Sequence, residues 1–134
     1  MISLIDNQIS GKGAQALASA CGALPQLKAL YLSTNQIGDA GTQALDGACA
    51  GGALGQLEEL GLSYNQIGTV GAQAIAEACA GGGVAQLKLL GLGDNRIGDA
   101  GVKVLAAALA SGVLAQLMER CLHGNQPATR PNRR

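Results

Sequence analysis

"YLSTNQIGDAGTQAL", residues 31–45, sets an asparagine between apolar residues and follows it with two glycines. The same arrangement returns as "GLSYNQIGTVGAQAI" at residues 61–75 and as "GLGDNRIGDAGVKVL" at residues 91–105. Asparagines at spacings of 28 and then 30 residues extend the series, and they are Asn7, Asn35, Asn65, Asn95 and Asn125. A fixed period of this length predicts a repeat architecture, in which each copy stacks on the next.

Leucines keep the same register as the asparagines and give the unit L-x-x-L-x-L-x-x-N-x-I-G-x-x-G. The L-x-L alternation predicts a short strand with one buried face. A carboxamide turned inward where the strand ends offers one acceptor and two donors to backbone groups of adjacent coils. Each backbone group left without a partner in the interior costs about 1–3 kcal/mol. We therefore interpret the asparagines as a structural ladder.

A helical segment follows each corner, and the predicted helices are Gly11–Cys21, Ala40–Ala50, Val70–Ala80 and Ala100–Ala110. Residues of the N-cap type precede three of them, namely Asp39, Thr69 and Asp99. On the second helix the apolar positions form one stripe, and Asp46 is expected to face away from it. Glycine recurs in the first turns, at Gly13, Gly41, Gly71 and Gly101. Because glycine there costs helix stability, its recurrence indicates close approach to a neighbouring coil.

These motifs closely resemble leucine-rich repeats of the ribonuclease-inhibitor type over about residues 1–126. Similar repeats occur in NOD-like receptors and in the Ran GTPase-activating protein. The resemblance implies an α/β solenoid, a right-handed β-α superhelix with short parallel strands on its concave side and helices on its convex side. The expected domain contains a partial first coil, three complete coils and a degraded last strand. Residues 127–134 are expected to form a disordered basic tail.

Both ends of the array depart from the repeat. Residues 1–4 begin partway through a strand, and at the other end Arg120 occupies a core leucine position while Pro127 replaces the isoleucine. Solenoids need capping to stay soluble, and no dedicated N-terminal cap is recognised. We expect either a fragment of a longer repeat protein or a shortened gene product. End-to-end self-association through the uncapped ends is a further expectation.

The charge balance excludes several classes of partner. Nine basic and nine acidic residues give no net charge with histidine neutral. Nucleic acid and anionic membranes both require clustered positive charge, so neither is expected as a partner. No apolar run approaches the roughly 18 residues of a membrane span. The start also lacks the features of a secretory signal, so the default expectation is a cytoplasmic protein.

The cysteines are expected to be apolar core residues. Cys21, Cys49 and Cys79 share one repeat position with Leu109, and buried thiols behave as small hydrophobes. Helices packed about 8–10 Å apart would keep their Cα atoms beyond bridging distance. No CxxC pair or nearby histidine indicates a zinc site, so no metal is expected.

Outward strand positions line the concave face, where partner binding is expected. The candidate contact residues are Tyr31, Tyr64, Glu59, Leu89, Asp94 and Arg96. Tyrosine is a common interface anchor, although both tyrosines could instead shield the sheet beside glycines. Gly61, Gly91, Ser63 and Gly93 are expected to leave the middle of the face nearly bare. The same small residues would also accumulate on a face that binds nothing.

No residue pattern indicates catalysis, and no cofactor is expected. "SGKGA" at residues 10–14 lacks the spacing of a phosphate loop and aligns with the repeat corner. Cys121 and His123 could project together, but they fall on the degraded last strand. The alternative functions are a fragment of a Ran-type small-GTPase activator, which would use Arg96, and a structural stretch of a longer array. A surface cluster of Asp94, Arg96 and Asp99 is the simpler interpretation of that corner.

Overall fold

A computed structural model describes residues 1–24, 26–81 and 86–109, and residue 109 is described by its backbone only. Each of the first four copies of the repeat contributes one strand and one helix. The predictions made for Arg120, Cys121, His123, Asn125 and the tail from residue 127 lie outside the described residues.

The strands form one parallel sheet in sequence order. They are β1 (Ile2–Ser3), β2 (Ala29–Tyr31), β3 (Glu59–Gly61) and β4 (Leu89–Gly91). Their register follows the repeat, so that Leu30 lies between Ile2 and Leu60 in neighbouring strands. The same register continues into β4, where Leu90 lies beside Leu60. The expected α/β solenoid is therefore confirmed.

The helices pack side by side on the other face of the sheet. They are α1 (Gly11–Ala20), α2 (Gly38–Ala50), α3 (Thr69–Ala80) and α4 (Gly98–Leu109), with a 3₁₀ turn at Cys21–Ala23. Helices pack about 8–10 Å apart whereas strands lie about 4.8 Å apart. Stacked units of this kind therefore curve with the sheet on the inner side of the arc.

The core lies between the sheet and the helices and repeats its composition from coil to coil. Leucine and isoleucine side chains that are at most 1% exposed fill it, and they include Leu30, Leu32, Ile37, Leu57, Leu62, Ile67, Leu92, Ile97 and Leu105. Small residues such as Ala14 and Ala72 lie where helices meet. Because the chain has almost no aromatic residues, the core consists of many contacts between aliphatic side chains that repeat from coil to coil.

The expected coil-to-coil contacts are present at Gly41, Gly71 and Gly101, whereas a Cβ atom added at Gly13 would meet only Ile9 of its own coil. A Cβ atom added at Gly41 would stand 2.9 Å from Ala14 Cβ of the preceding coil. One added at Gly71 would stand 2.6 Å from the Asp39 carboxylate. Real Cβ atoms essentially never approach other heavy atoms so closely, so these positions exclude larger residues.

The N-cap prediction for Asp39, Thr69 and Asp99 is wrong. Each lies inside the first turn of its helix, because α2 begins at Gly38, α3 at Thr69 and α4 at Gly98. The Asp39 carboxylate instead accepts hydrogen bonds from the backbone N–H groups of Gly68 (2.7 Å) and Gly71 (2.9 Å). It therefore caps the start of α3 in the next coil, where unsatisfied N–H groups and the helix dipole favour an anion.

The cysteines and Asp46 test two further predictions. Cys21, Cys49 and Cys79 are all free thiols, as expected. Burial is the main reason that the pKa of Cys49 rises to about 12 and that of Cys79 to about 11, so both thiols are protonated at neutral pH. Asp46, expected to face solvent, is half-buried. Its pKa is raised by that burial and then by the charge of Glu77 on α3.

Candidate functional site

The asparagine side chains fix the corner at which each strand ends. Asn35 Oδ1 accepts hydrogen bonds from the backbone N–H groups of Asn7 and Ile9, both at 2.9 Å. Its Nδ2 donates to the carbonyl of Leu4 in the preceding coil and to that of Leu32 in its own. One carboxamide thus joins two successive coils.

The next two coils repeat this bonding. Asn65 accepts from Ile37 N–H (3.3 Å) and donates to Leu32 O (2.8 Å), while Asn95 accepts from the N–H groups of Asn65 and Ile67. All three side chains of the inner coils are buried. Asn7 differs, because its carboxamide is exposed and donates only to Ile5 O at 3.2 Å among the described residues. The expectation that every asparagine of the series points inward is wrong at this position.

The side of the sheet away from the helices is called the open face below. It is formed by the outward positions of the strands and of the residues that follow them: Ala29, Tyr31, Ser33, Glu59, Gly61, Ser63, Leu89 and Gly91. Glu59 lies between Ala29 and Leu89 in adjacent strands. Gly61 lies between Tyr31 and Gly91 in the same way. This face is the concave surface, where partner binding is predicted from the sequence.

Tyr31 covers part of the open face rather than projecting from it. A Cβ atom at Gly61 would stand 3.3 Å from Tyr31 Cδ1, so the ring lies against the glycine, which is buried. The Tyr31 hydroxyl donates a hydrogen bond to the Glu59 carboxylate. This hydrogen bond raises the pKa of Tyr31. Among the strand glycines, Gly61 is therefore covered and Gly91 is half-buried, so the expected bare floor is only partly present.

Tyr64 and Leu89 are the large exposed side chains of this region, with 57% and 44% of their surface accessible. Leu89 lies on β4, and Tyr64 lies at the corner immediately before Asn65. Tyr64 (φ +58°) and Asp94 (φ +56°) both have left-handed backbone conformations. Such conformations are uncommon for residues other than glycine and mark positions that the surrounding structure holds in place. The ladder bonds of Asn65 and Asn95 supply that constraint.

The charged residues are less organised than expected. Lys88 Nζ lies 4.0 Å from Glu58 Oε1, and in the described part of the chain this is the one salt bridge. Arg96 is exposed, and its backbone N–H donates to Ile67 O at the corner beyond the strands. The predicted ion cluster of Asp94, Arg96 and Asp99 is therefore wrong for this geometry. Arg96 also lies apart from the strand positions that form the open face.

On the open face, the structure adds one feature that the sequence did not indicate, the hydrogen bond between Tyr31 and Glu59. The two residues are 28 positions apart, and only the strand register brings them together.

Within residues 1–24, 26–81 and 86–109, no group of three or more His, Cys, Asp or Glu side chains is arranged to hold a metal ion. In those same ranges, no helix is long and apolar enough to cross a membrane.

The repeat corner, the parallel strands and the stacked helices agree with a comparison to known families. The family model of leucine-rich repeats matches residues 3–18, 24–45, 57–76 and 87–106, more than half of the chain. The chain belongs to the leucine-rich-repeat family. Members of this family generally mediate protein–protein interaction and are typically not catalytic. A search of curated proteins finds no match to this leucine-rich-repeat protein.

Proposed function

We propose that this leucine-rich-repeat protein binds a protein partner through the part of the open face near β4. The supporting observation is that Leu89 on β4 is 44% exposed and Tyr64, at the corner that follows β3, is 57% exposed, although leucine side chains fill the core elsewhere. An exposed aromatic ring and an exposed leucine on a rigid scaffold are typical interface anchors. Both are candidate contact residues on the basis of the sequence.

The neighbouring residues fit a partner that approaches closely. Gly91 lies two residues beyond Leu89 on the same face and presents no side chain. Glu59 stands beside Leu89 in the adjacent strand, and Tyr31 orients its carboxylate. An acceptor held by a hydrogen bond loses less side-chain entropy when a donor of the partner binds it. Glu59 is proposed to give the contact its orientation and Leu89 to supply apolar area.

We assign different roles to the two tyrosines. Tyr64 is a proposed contact residue because its ring is exposed. Tyr31 is a proposed positioning residue, since its hydroxyl is engaged by Glu59 and its ring lies over Gly61. Asp94 extends the proposed surface at the corner. Arg96 is the residue on which the small-GTPase-activator alternative depends, and that alternative remains an implication of the resemblance.

Site-specific photo-crosslinking tests this proposal. A photoreactive phenylalanine replaces Tyr64 in one variant and Gln73, an exposed residue on α3, in a matched control. Both are irradiated in lysate of the cells that produce the protein. We expect a discrete protein adduct at position 64 that is absent at position 73. Introducing Leu89→Ala into the first variant should reduce the yield of that adduct severalfold, because Leu89 supplies part of the same contact.

Two results would contradict the proposal. Equal adducts at both positions would show non-specific capture. An adduct at position 64 that Leu89→Ala leaves unchanged would show that the partner does not contact the β4 part of the open face. Circular dichroism of each variant checks that the helices are retained.

A further inference from the structure

The Glu59 carboxylate on the open face has no cation paired with it among the described residues. The side chain is half-buried, and its Oε1 accepts the hydrogen bond from the Tyr31 hydroxyl. In the described part of the chain the one salt bridge joins Lys88 to Glu58, and Oε2 of Glu59 makes no hydrogen bond there. A carboxylate that is partly removed from water and unpaired favours a partner that brings a positive charge.

An aromatic ring and two hydroxyl groups lie near this carboxylate. The ring of Tyr31 rests on Gly61, and its hydroxyl reaches the carboxylate. A Cβ atom added at Gly61 would stand 3.4 Å from Ser33 Oγ, and one added at Gly91 would stand 3.4 Å from Ser63 Oγ. The two glycines are therefore bordered by serine hydroxyls, which can accept hydrogen bonds as well as donate them.

The described residues leave space for a side chain over Gly91. Gly61 and Gly91 lie side by side in β3 and β4, and the Tyr31 ring occupies the space over Gly61 alone. The atoms nearest to a Cβ added at Gly91 would be Ser63 Oγ and backbone atoms at 3.7 Å and 3.9 Å. Strands about 4.8 Å apart and a rise of about 3.3 Å per residue place Gly91 about 8 Å from Glu59. An extended arginine side chain that starts over Gly91 can therefore reach the carboxylate.

This combination of groups suits a guanidinium better than an ammonium. A guanidinium is planar, carries five N–H donors, and stacks on aromatic rings. It can therefore donate to Oε2 of Glu59 and to a serine hydroxyl while its plane lies against Tyr31. The ammonium of lysine is a compact and strongly hydrated charge, so it can pair with the carboxylate but cannot stack on the ring as a plane.

We propose that the open face binds an arginine side chain of the protein partner, with the guanidinium on Glu59 and Tyr31 and the aliphatic stem over Gly91. This inference rests on the proposed function and names the chemistry that the partner presents to the open face. Tyr31 then contributes twice, because its hydroxyl holds the carboxylate in place and its ring contacts the guanidinium. Ser63 accepts a further N–H of the same group.

Nuclear magnetic resonance of the full chain with ¹³C-labelled tyrosine tests the site, because the chain has two tyrosines and Tyr31 is at the site. The probe is the peptide acetyl-Ala-Arg-Ala-amide, added up to about 50 mM because one side chain alone binds weakly. We expect a saturable shift of the Tyr31 signal and no shift of the Tyr64 signal. The same peptide with lysine should bind at least about threefold more weakly. The peptide with citrulline, which has the shape of arginine without its charge, should give no saturable shift.

Two variants locate the binding site. Glu59→Gln should weaken binding of the arginine peptide at least about fivefold, because the amide keeps the size of the carboxylate and loses its charge. Glu77→Gln is the matched control, since it makes the same change in net charge at an exposed position on α3. It should leave binding unchanged. Circular dichroism of each variant checks that the helices are retained.

The absence of a saturable shift at Tyr31 overturns the arginine site. Equal binding of the lysine or citrulline peptide overturns it too, and so does an equal effect of the two variants. The photo-crosslinking experiment is independent of these peptides. Binding of arginine without an adduct at position 64 would contradict only the proposed contact near β4, and an adduct without binding of arginine would contradict only the arginine site.

Discussion

Asn65 shows how one side chain can hold two coils together. Its carboxamide is fully buried, accepts from Ile37 N–H, and donates to the carbonyls of Leu32 and Ser63. Water does not reach these backbone groups, so the carboxamide supplies the hydrogen bonds that water would otherwise make. The polar residue thus recurs in an apolar pattern because each corner leaves the same backbone groups without partners.

Asn65→Ala should therefore lower the free energy of unfolding by about 2–4 kcal/mol, since more than one buried backbone group loses its partner. Asn7→Ala is the matched control at the same repeat position. Its carboxamide is exposed, so the expected change is within about 0.5 kcal/mol. Urea unfolding monitored by circular dichroism measures both. Equal losses for the two variants would contradict the ladder as the source of stability.

Among the elements, α2 and α3 contain glycines with opposite roles. A Cβ at Gly71 would meet Asp39 Oδ1 and Ile67 Cγ2 at 2.6 Å each, whereas one at Gly47 would meet nothing within 4 Å. Gly71→Ala should destabilise the protein by about 1–3 kcal/mol through overpacking. Gly47→Ala should stabilise it by about 0.5–1 kcal/mol through helix propensity. Thermal unfolding shows whether each variant is more or less stable than the wild-type protein. A stabilising effect of Gly71→Ala would refute the close contact between coils.

The elements also show what the sequence could predict. The predicted helix 70–80 begins within one residue of α3, because an apolar stripe and a glycine stop are local signals. The N-caps failed because the Asp39 carboxylate bonds N–H groups 29 and 32 residues away. Likewise Tyr31 and Tyr64 are both expected on the exposed face from the sequence, and only the strand register places Glu59 beside Tyr31. Local patterns thus specified the coil, whereas side-chain partners depended on stacking.

At the scale of the molecule, the described residues form a stack in which each helix contacts the next one along the chain. In such an array each coil contacts only its neighbours. The free energy of unfolding is therefore approximately the sum of the intrinsic stability of each coil and the energy of its interfaces with neighbouring coils. The first coil has one such interface among the described residues, and its Leu4 is only half-buried. The inner coils have two, and their leucines are fully buried. The first coil is therefore expected to be less stable than the inner coils of the described stack.

This gradient predicts different outcomes for one substitution at two places in the stack. Leu62→Ala removes a side chain that is 0% exposed in an inner coil, so it should cost about 3–5 kcal/mol. It should also lower the urea m-value, because a weakened middle coil lets the two ends unfold separately. Leu4→Ala, at the equivalent position of the first coil, should cost about half as much and leave the m-value unchanged. Urea unfolding of the two variants, monitored by circular dichroism, separates the cases. Similar losses at Leu4 and Leu62, with one common m-value, would mean that the coils unfold as a single cooperative block.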